Sequence, residues 1–184
     1  MKRKIIIGLV GPIASGKGTI AQYLKEKRNA DIFRFSTSLR DVLERLHCEI
    51  TRTHMQKVSR ALRESLGQDL LAKVVAEDVK ESEKKIIVID GIRRWQDIKY
   101  LKEMDNFILV GIEADPKTRY KRLTGREENQ GDKEKTYEEF LADHQKETET
   151  TIPEILKKAE KTINNQGVRE ELYQQIEKII KNYE

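Results

Sequence analysis

The sequence predicts an α/β fold in which helices pack on both faces of a five-stranded parallel sheet. Short apolar runs alternate with longer amphipathic segments, and this alternation is typical of strand–helix units around a parallel sheet. A glycine-rich stretch joins the first apolar run to the first amphipathic segment. The 184 residues carry neither a linker nor an internal repeat, so we expect a single domain over residues 1–184.

Five short apolar runs are the predicted strands. They cover residues 4–10, 32–35, 85–89, 107–112 and 161–163. The third run is rich in β-branched side chains without interruption, as expected of a central strand that is buried on both faces. The first run follows a basic start and therefore resembles a signal peptide, but Gly8, Gly11 and Pro12 interrupt it. We interpret it as a buried first strand.

The helices are predicted from apolar residues that recur at intervals of three and four. They are expected near residues 19–27, 39–46, 58–66, 68–79, 116–123 and 172–180. Several helix starts carry capping side chains. The predicted caps are Ser36 or Ser38, Asp115, Thr136 with Glu139, and Thr151 with Glu154.

Composition excludes some classes of function. The 36 basic residues are interspersed with 32 acidic ones, which argues against a nucleic-acid-binding surface but allows a pocket for anionic small molecules. No segment approaches the length of a membrane span. Cys48 is the only cysteine, so a reducing compartment, the cytoplasm, is expected. We interpret Cys48 as a partly buried structural residue rather than a metal ligand with His47.

The stretch GPIASGKGT, residues 11–19, carries the strongest functional signal. Two glycines five residues apart, followed by Lys17, stand between a predicted strand and a predicted helix. Such a loop turns backbone N–H groups towards phosphate oxygens at a helix N-terminus, and its lysine bridges the β- and γ-phosphates of ATP. The residues predicted to bind ATP here are Gly11, Ala14, Ser15, Gly16, Lys17, Gly18 and Thr19, with Lys17 also catalytic.

The residue after the lysine narrows the class of protein. Gly18 stands where a magnesium-binding serine or threonine is usual, and Thr19 comes one residue later. The arrangement G-K-G-T resembles the loop of adenylate kinases and related nucleoside monophosphate kinases. The resemblance implies a three-layer P-loop NTPase fold, Mg²⁺ held largely through water and the nucleotide phosphates, and a Thr19 hydroxyl that serves a phosphate. A GTPase is a poor match, because no N-K-x-D sequence occurs.

A second anion-binding site is predicted after the third strand, at Asp90-Gly91-Ile92-Arg93-Arg94. A carboxylate at the tip of a central strand beside the phosphate loop suits the orientation of magnesium through water, and Asp90 is therefore predicted to be catalytic. The alternative is that Asp90 only caps the next helix. The stretch resembles the D-G-F-P-R of adenylate kinases, whose arginine holds the acceptor phosphate. That arginine falls on Arg94, while Arg93 replaces the proline, so either could face the cleft.

The resemblance extends to an acceptor-binding helical insertion over about residues 36–84. The sequence after the second strand is similar to the S-T-G-x-x-L-R of the same kinases and places Ser36, Thr37 and Arg40 at the acceptor. Arg63 lies on the inserted helices. Arginine suits such positions because its planar fork binds two phosphate oxygens at once. For Arg40 and Arg63 the alternative is a solvated surface charge.

A short lid is implied over about residues 119–150. Arg119, Arg122 and Arg126 recur at intervals of three and four and so share one helix face. By the resemblance, Arg122 and Arg126 would close over the transferring phosphoryl group, whereas Arg119 could be only a salt-bridge partner. Asn165 and Gly167 lie in a stretch that resembles the base-side loop of dephospho-CoA kinases, and a plain turn explains it equally well.

The expected activity is an ATP- and Mg²⁺-dependent transfer of a phosphoryl group to a nucleoside or deoxynucleoside monophosphate, by a monomer or homodimer. Dephospho-CoA kinases carry an aspartate at the end of the second strand, where this chain has Ser36-Thr37-Ser38. A phosphate acceptor needs no general base, so this difference favours it. The alternatives are a dephospho-CoA kinase or another kinase with a hydroxyl acceptor, and a non-catalytic ATP-binding switch.

Overall fold

The computed structural model describes residues 4–125, 133–143 and 150–184. Five parallel strands form one sheet in the order β2-β3-β1-β4-β5. They are β1 (Ile5–Val10), β2 (Asp31–Arg34), β3 (Ile86–Asp90), β4 (Phe107–Glu113) and β5 (Lys161–Asn164). The predicted α/β fold with a five-stranded parallel sheet is therefore confirmed.

Helices connect the strands. They are α1 (Lys17–Arg28), α2 (Phe35–Arg45), α3 (Arg52–Leu66), α4 (Leu70–Glu81), α5 (Pro116–Thr124), α6 (Tyr137–Asp143), α7 (Ile152–Leu156) and α8 (Arg169–Lys181). Two short 3-10 turns, Trp95–Ile98 and Leu101–Glu103, lie between β3 and β4. Three helices, α2 to α4, follow one another between β2 and β3, as the helical periodicity predicts. Within the described part of the chain, no helix is both long and apolar enough to cross a bilayer.

The core lies on both faces of the sheet, because alternate residues of each strand point to opposite sides. On one face, Ile7 and Leu9 pack against Ile20 and Leu24 of α1 and against α8. On the other face, side chains of β1 and β3 pack against α2, α4, α7 and the 3-10 turns. The result is three layers with the sheet in the middle.

The strand register brings the polar ends of the strands together. Leu9 of β1 pairs with Asp90 of β3, so the glycine-rich loop after β1 begins beside the Asp90 carboxylate. Arg34 at the end of β2 also pairs with Asp90. Parallel strands all end at one edge of the sheet, and in open α/β sheets that edge is where ligands bind.

The predicted cap at Ser36 or Ser38 is wrong. Helix α2 begins at Phe35, and both serines lie inside it. Phe35 is buried in the core, so the chain passes from β2 into α2 without a connecting loop in which a serine could act as a cap. Tertiary packing here outweighs the local preference of serine for a helix start.

The other predicted caps have different outcomes. The Thr136 and Glu139 box forms, with the Thr136 N–H donating to Glu139 Oε2 at 2.8 Å and the Glu139 N–H donating to Thr136 Oγ1 at 3.2 Å. Asp115 caps α5 by accepting from the Thr118 N–H at 2.8 Å. Thr151 precedes α7 but makes no capping bond, because its hydroxyl donates to the carbonyl of Arg93 instead.

Cys48 is exposed, so the expectation of a partly buried structural cysteine is wrong. It follows the end of α2 and a left-handed residue, His47, whose φ is 55°. The chain turns away from the core at this point, and the cysteine remains on the surface.

Candidate active site

The glycine-rich loop connects the buried strand β1 to helix α1, and its shape depends on two glycines. Gly16 has a φ of 111°, in the left-handed region that side chains rarely adopt. A Cβ atom on Gly16 would also collide with the carboxamide nitrogen of Asn165. A Cβ atom on Gly11 would collide with the carbonyl oxygen of Ile112 in β4. The loop therefore packs against β4 and the end of β5 more closely than any side chain would permit.

Lys17 is the first residue of α1, and its ammonium group folds back into the curve of the loop. It donates to the carbonyl oxygens of Gly11 at 2.6 Å and Pro12 at 3.0 Å. A cation and the positive end of the α1 dipole thus lie together, which favours a bound anion. Gly18 is exposed and a Cβ atom there would meet nothing within 4 Å, so the fold does not require glycine at this position.

A small pocket opens beside the loop. It is lined by Gly11, Ile13, Lys17, Gly91, Ile92, Arg93 and Ile152. Of the two arginines after β3, Arg93 lines this pocket together with Lys17, and Arg94 is not among the described lining residues.

Arg94 points to a different cluster, formed with Arg63 of α3 and the buried Asp97. Asp97 Oδ2 accepts from the backbone N–H groups of Arg93 and Arg94, each at 2.9 Å, and so fixes the chain after β3. Burial raises the pKa of Asp97. The two backbone N–H groups and the charges of Arg63 and Arg94 partly offset this effect, because each of them lowers the pKa. Burial and the nearby charge of Arg94 lower the pKa of Arg63. Two guanidinium groups thus lie near one carboxylate.

Asp90 ends β3, and its Oδ2 atom pairs with Arg34 Nε at 3.1 Å. A single carboxylate suits Mg²⁺ that arrives with nucleotide phosphates, since this ion keeps several waters and needs few protein oxygens. Within the described residues no group of three or more His, Cys, Asp or Glu could hold a metal on its own. The donor set at Asp90 fits magnesium held through water, with Arg34 as a competitor for one carboxylate oxygen.

Two of the three predicted lid arginines, Arg119 and Arg122, lie in different surroundings. Arg119 is buried, and it donates to the carbonyl oxygens of Ala114 at 3.0 Å and Ile13 at 3.2 Å. It therefore anchors α5 to the phosphate loop. Arg122 is partly buried and donates through Nη2 to Asn165 Oδ1 at 3.4 Å, and burial lowers its pKa. Arg126 lies outside the described residues, as does most of the predicted loop at 125–135.

The stretch after β5 contacts the phosphate loop directly. Asn165 is buried, and its Nδ2 donates to the carbonyl oxygen of Ser15 at 2.7 Å. Gly167 is exposed, and a Cβ atom there would collide with the Glu171 carboxylate. The carboxamide of Asn165 is thus directed at the loop, a contact that the base-side resemblance does not imply.

The predicted acceptor residues on α2 lie apart from the Lys17 pocket. Ser36 is half-buried, while Thr37 and Arg40 are exposed. None of these three is among the described residues that line the pocket. The structure therefore brings Lys17 and Arg93 together, with Arg63 and Arg94 nearby, and leaves Arg40 on the surface of α2.

Sequence reasoning missed two residues of this region, Arg34 and Asp97. An acidic residue three positions after Arg94, at the start of a helical turn, is the signal that could have identified Asp97. Arg34 carries no such signal, because its pairing with Asp90 depends on the register between β2 and β3.

Comparisons with known proteins show the family of the chain. A family model described as an AAA domain matches residues 7–151. Two relatives, UPF0200 protein PH1008 from Pyrococcus horikoshii and UPF0200 protein PF1294 from Pyrococcus furiosus, are each 30% identical over 181 residues. These alignments cover 96% of this chain and 96% of each relative.

Solved structures share the fold. The crystal structure of TT1252 from Thermus thermophilus has a TM-score of 0.67 at 18% identity, covering 99% of this chain and 98% of that chain. A shikimate kinase from Bacteroides thetaiotaomicron has a TM-score of 0.62 at 15% identity, covering 96% and 98%. The resemblance to P-loop kinases predicted from the sequence is confirmed. The chain belongs to the AAA domain family and to the UPF0200 proteins, and it has a P-loop kinase-like fold.

Proposed function

We propose that this protein transfers the γ-phosphoryl group of ATP to a nucleoside or deoxynucleoside monophosphate. The supporting observation is that Lys17 and Arg93, which come from different strand ends, line one pocket beside the glycine-rich loop. Arg63 lies near Arg94, which follows Arg93 in the chain, and these two arginines could hold the acceptor phosphate. Phosphoryl transfer depends on positioning and on neutralising charge, and these four cations supply both.

In this proposal each group has a distinct role. The loop N–H groups and Lys17 bind the β- and γ-phosphates, and Thr19 adds a hydroxyl. Asp90 would orient the hydrated Mg²⁺ that accompanies ATP, and this ion would supply further positive charge at the phosphates. Arg93 contacts the group in transfer, while Arg122 and Arg126 neutralise its charge from the lid side. Ser36, Thr37 and Arg40 remain predicted acceptor contacts on α2, and Asn165 and Gly167 remain predicted contacts on the nucleotide side.

The pocket chemistry favours a phosphate as the acceptor. An acceptor phosphate is already ionised, so its attack requires no general base. Among the described residues that line the pocket, none carries a carboxylate. Asp97 is held by two backbone N–H groups, and Asp90 is paired with Arg34.

A kinase with a hydroxyl acceptor is the second candidate. It is favoured by the fold shared with shikimate kinases and by the position of Asp90, which precedes the pocket residue Gly91. Dephospho-CoA and shikimate therefore belong in the same test as the nucleotides.

The test is an acceptor panel. Purified protein with ATP and Mg²⁺ is incubated with each common nucleoside and deoxynucleoside monophosphate, with dephospho-CoA and with shikimate, and the products are separated by chromatography. We expect at least one monophosphate to stimulate ADP formation and to appear as its diphosphate. Slow ADP formation that no acceptor stimulates would support a non-catalytic switch instead.

Lys17→Met tests the site itself. We expect turnover to fall by about 1,000-fold, because the lysine stabilises charge that develops in the transition state. Lys25→Met is the matched control, since Lys25 is exposed on the same helix. Full activity of Lys17→Met, in a protein with unchanged thermal unfolding, would contradict the assignment.

A further inference from the structure

Asn165 joins two parts of the candidate site through a single buried side chain. It follows β5, and only 5% of the residue is exposed. Its backbone N–H donates to the carbonyl oxygen of Glu113 at 2.8 Å, which fixes it at the end of β4. Its Nδ2 atom donates to the Ser15 carbonyl oxygen at 2.7 Å, and its Oδ1 atom accepts from Arg122 Nη2 at 3.4 Å. One carboxamide thus contacts both the phosphate loop and the α5 arginine.

Gly16 packs directly against the carboxamide of Asn165. Its φ of 111° and the absence of a side chain allow Asn165 to approach, because a Cβ atom on Gly16 would collide with Asn165 Nδ2. The space beside the loop is therefore filled by the carboxamide. The conformation of Gly16 and the position of Asn165 depend on each other.

Ser15 and Arg122, the two residues that the Asn165 side chain contacts, each carry a further hydrogen-bond donor that could bind a ligand. Ser15 Oγ and Arg122 Nη1 are buried, and neither has a hydrogen-bond partner among the described residues. A buried polar group without a partner is costly unless a ligand satisfies it. Donors held in fixed positions beside a phosphate loop are preorganised for anionic oxygens.

We propose that Asn165 is a positioning residue, which holds the Ser15 carbonyl and the Arg122 guanidinium in one fixed arrangement. This inference rests on the proposed phosphotransferase function. The sheet order places Asn165 after β5 and the acceptor arginine Arg94 after β3, on opposite sides of β1. Loss of Asn165 should therefore reduce kcat and nucleotide affinity but leave the acceptor KM unchanged.

The experiment is a double-mutant cycle with Asn165→Ala and Arg122→Ala. We expect Asn165→Ala to lower kcat by about 10- to 100-fold, since displacement of a catalytic group by about 1 Å has effects of this size. In the Arg122→Ala background the same change should lower kcat by a smaller factor, because the contact between the two residues is already absent and only the bond to the Ser15 carbonyl is lost. Gln174→Ala, which removes an exposed amide from α8, is the control and should match the wild type.

Two further measurements separate a positioning role from a structural one. Asn165→Asp keeps an oxygen for Arg122 but sets a carboxylate against the Ser15 carbonyl, so we expect weaker binding of MgADP, measured by calorimetry. Thermal unfolding of each variant checks the fold, and Asn165→Ser takes the place of Asn165→Ala if the latter unfolds at the assay temperature.

The outcomes distinguish the role of Asn165 from the proposed function. A wild-type kcat in Asn165→Ala, or equal losses in both backgrounds, would overturn the role of Asn165 while leaving the kinase intact. A wild type that binds MgADP but transfers nothing would refute the proposed function, and the ADP affinity of Asn165→Asp would still test the loop contact. A wild type that neither binds nor transfers would refute both.

Discussion

Alanine substitutions of Gly16 and Gly18, two glycines of the phosphate loop separated by one residue, should change the thermal stability of the protein in opposite directions. In Gly16→Ala the new residue must adopt a φ of 111°, which costs about 1–3 kcal/mol in non-glycine residues. Its Cβ atom must also displace Asn165, and the loss of that buried hydrogen bond costs about 1–3 kcal/mol. We expect a loss of about 3 kcal/mol, which lowers Tm by about 6–12 °C in a chain of this size.

Gly18→Ala is the matched control. Gly18 is the second residue of α1, and a Cβ atom there meets nothing within 4 Å. Alanine is favoured over glycine in a helix by about 0.5–1 kcal/mol, and the lower value applies near a helix end. We therefore expect Tm to rise by about 1–2 °C.

Thermal unfolding followed by circular dichroism measures both variants, and calorimetry with MgADP measures their nucleotide affinity. Gly16→Ala should also bind MgADP more weakly, whereas Gly18→Ala should retain binding. Equal Tm values for Gly16→Ala and the wild type would show that the loop adapts without strain, and the argument from Gly16 geometry would then be wrong.

Two other variants test the charged groups after β2 and β3. Burial raises the pKa of Asp97 above its value near 3.8 in an unfolded chain. The contribution of this carboxyl to the free energy of unfolding therefore falls as the pH rises above about 3.8. It becomes constant once the pH exceeds the pKa of Asp97 in the folded protein. Asp97→Asn should remove that decline and be at least as stable as the wild type at pH 7, as measured by denaturant unfolding between pH 4 and 8. A loss above about 2 kcal/mol would mean that attraction to Arg63 and Arg94 outweighs burial. Arg34→Ala should change the free energy of unfolding by less than about 1 kcal/mol, because the arginine is half-exposed. It should also lower the Mg²⁺ concentration that gives half-maximal transfer, and an unchanged value would show that Arg34 does not compete for Asp90.

The sequence predicts the sheet and the phosphate loop well because both depend on local patterns. Apolar runs mark the strands, and two glycines before Lys17 mark a loop between a strand and a helix. The sequence does not reveal which of Arg93 and Arg94 lines the pocket. This depends on how Asp97 holds the backbone after β3, and neighbouring positions on an irregular segment have no periodicity from which a direction could be read.

Contacts between distant segments are the part that patterns do not reveal. Asn165 and Ser15 are 150 positions apart, and their hydrogen bond exists because β5 and the loop meet at one edge of the sheet. The burial of Phe35 likewise decides where α2 begins, against the local signal of the following serines. In both cases the deciding energy comes from tertiary packing.

Arg119 joins three segments of the chain. Its guanidinium donates to the carbonyl oxygen of Ile13, a residue that lines the pocket, and lies 5.3 Å from the ring centre of Phe140 in α6. Helices α5 and α6 are thereby coupled to the loop that borders the pocket. A substitution of Arg119 should therefore weaken the packing of both helices and of that loop together, rather than loosen one of them alone.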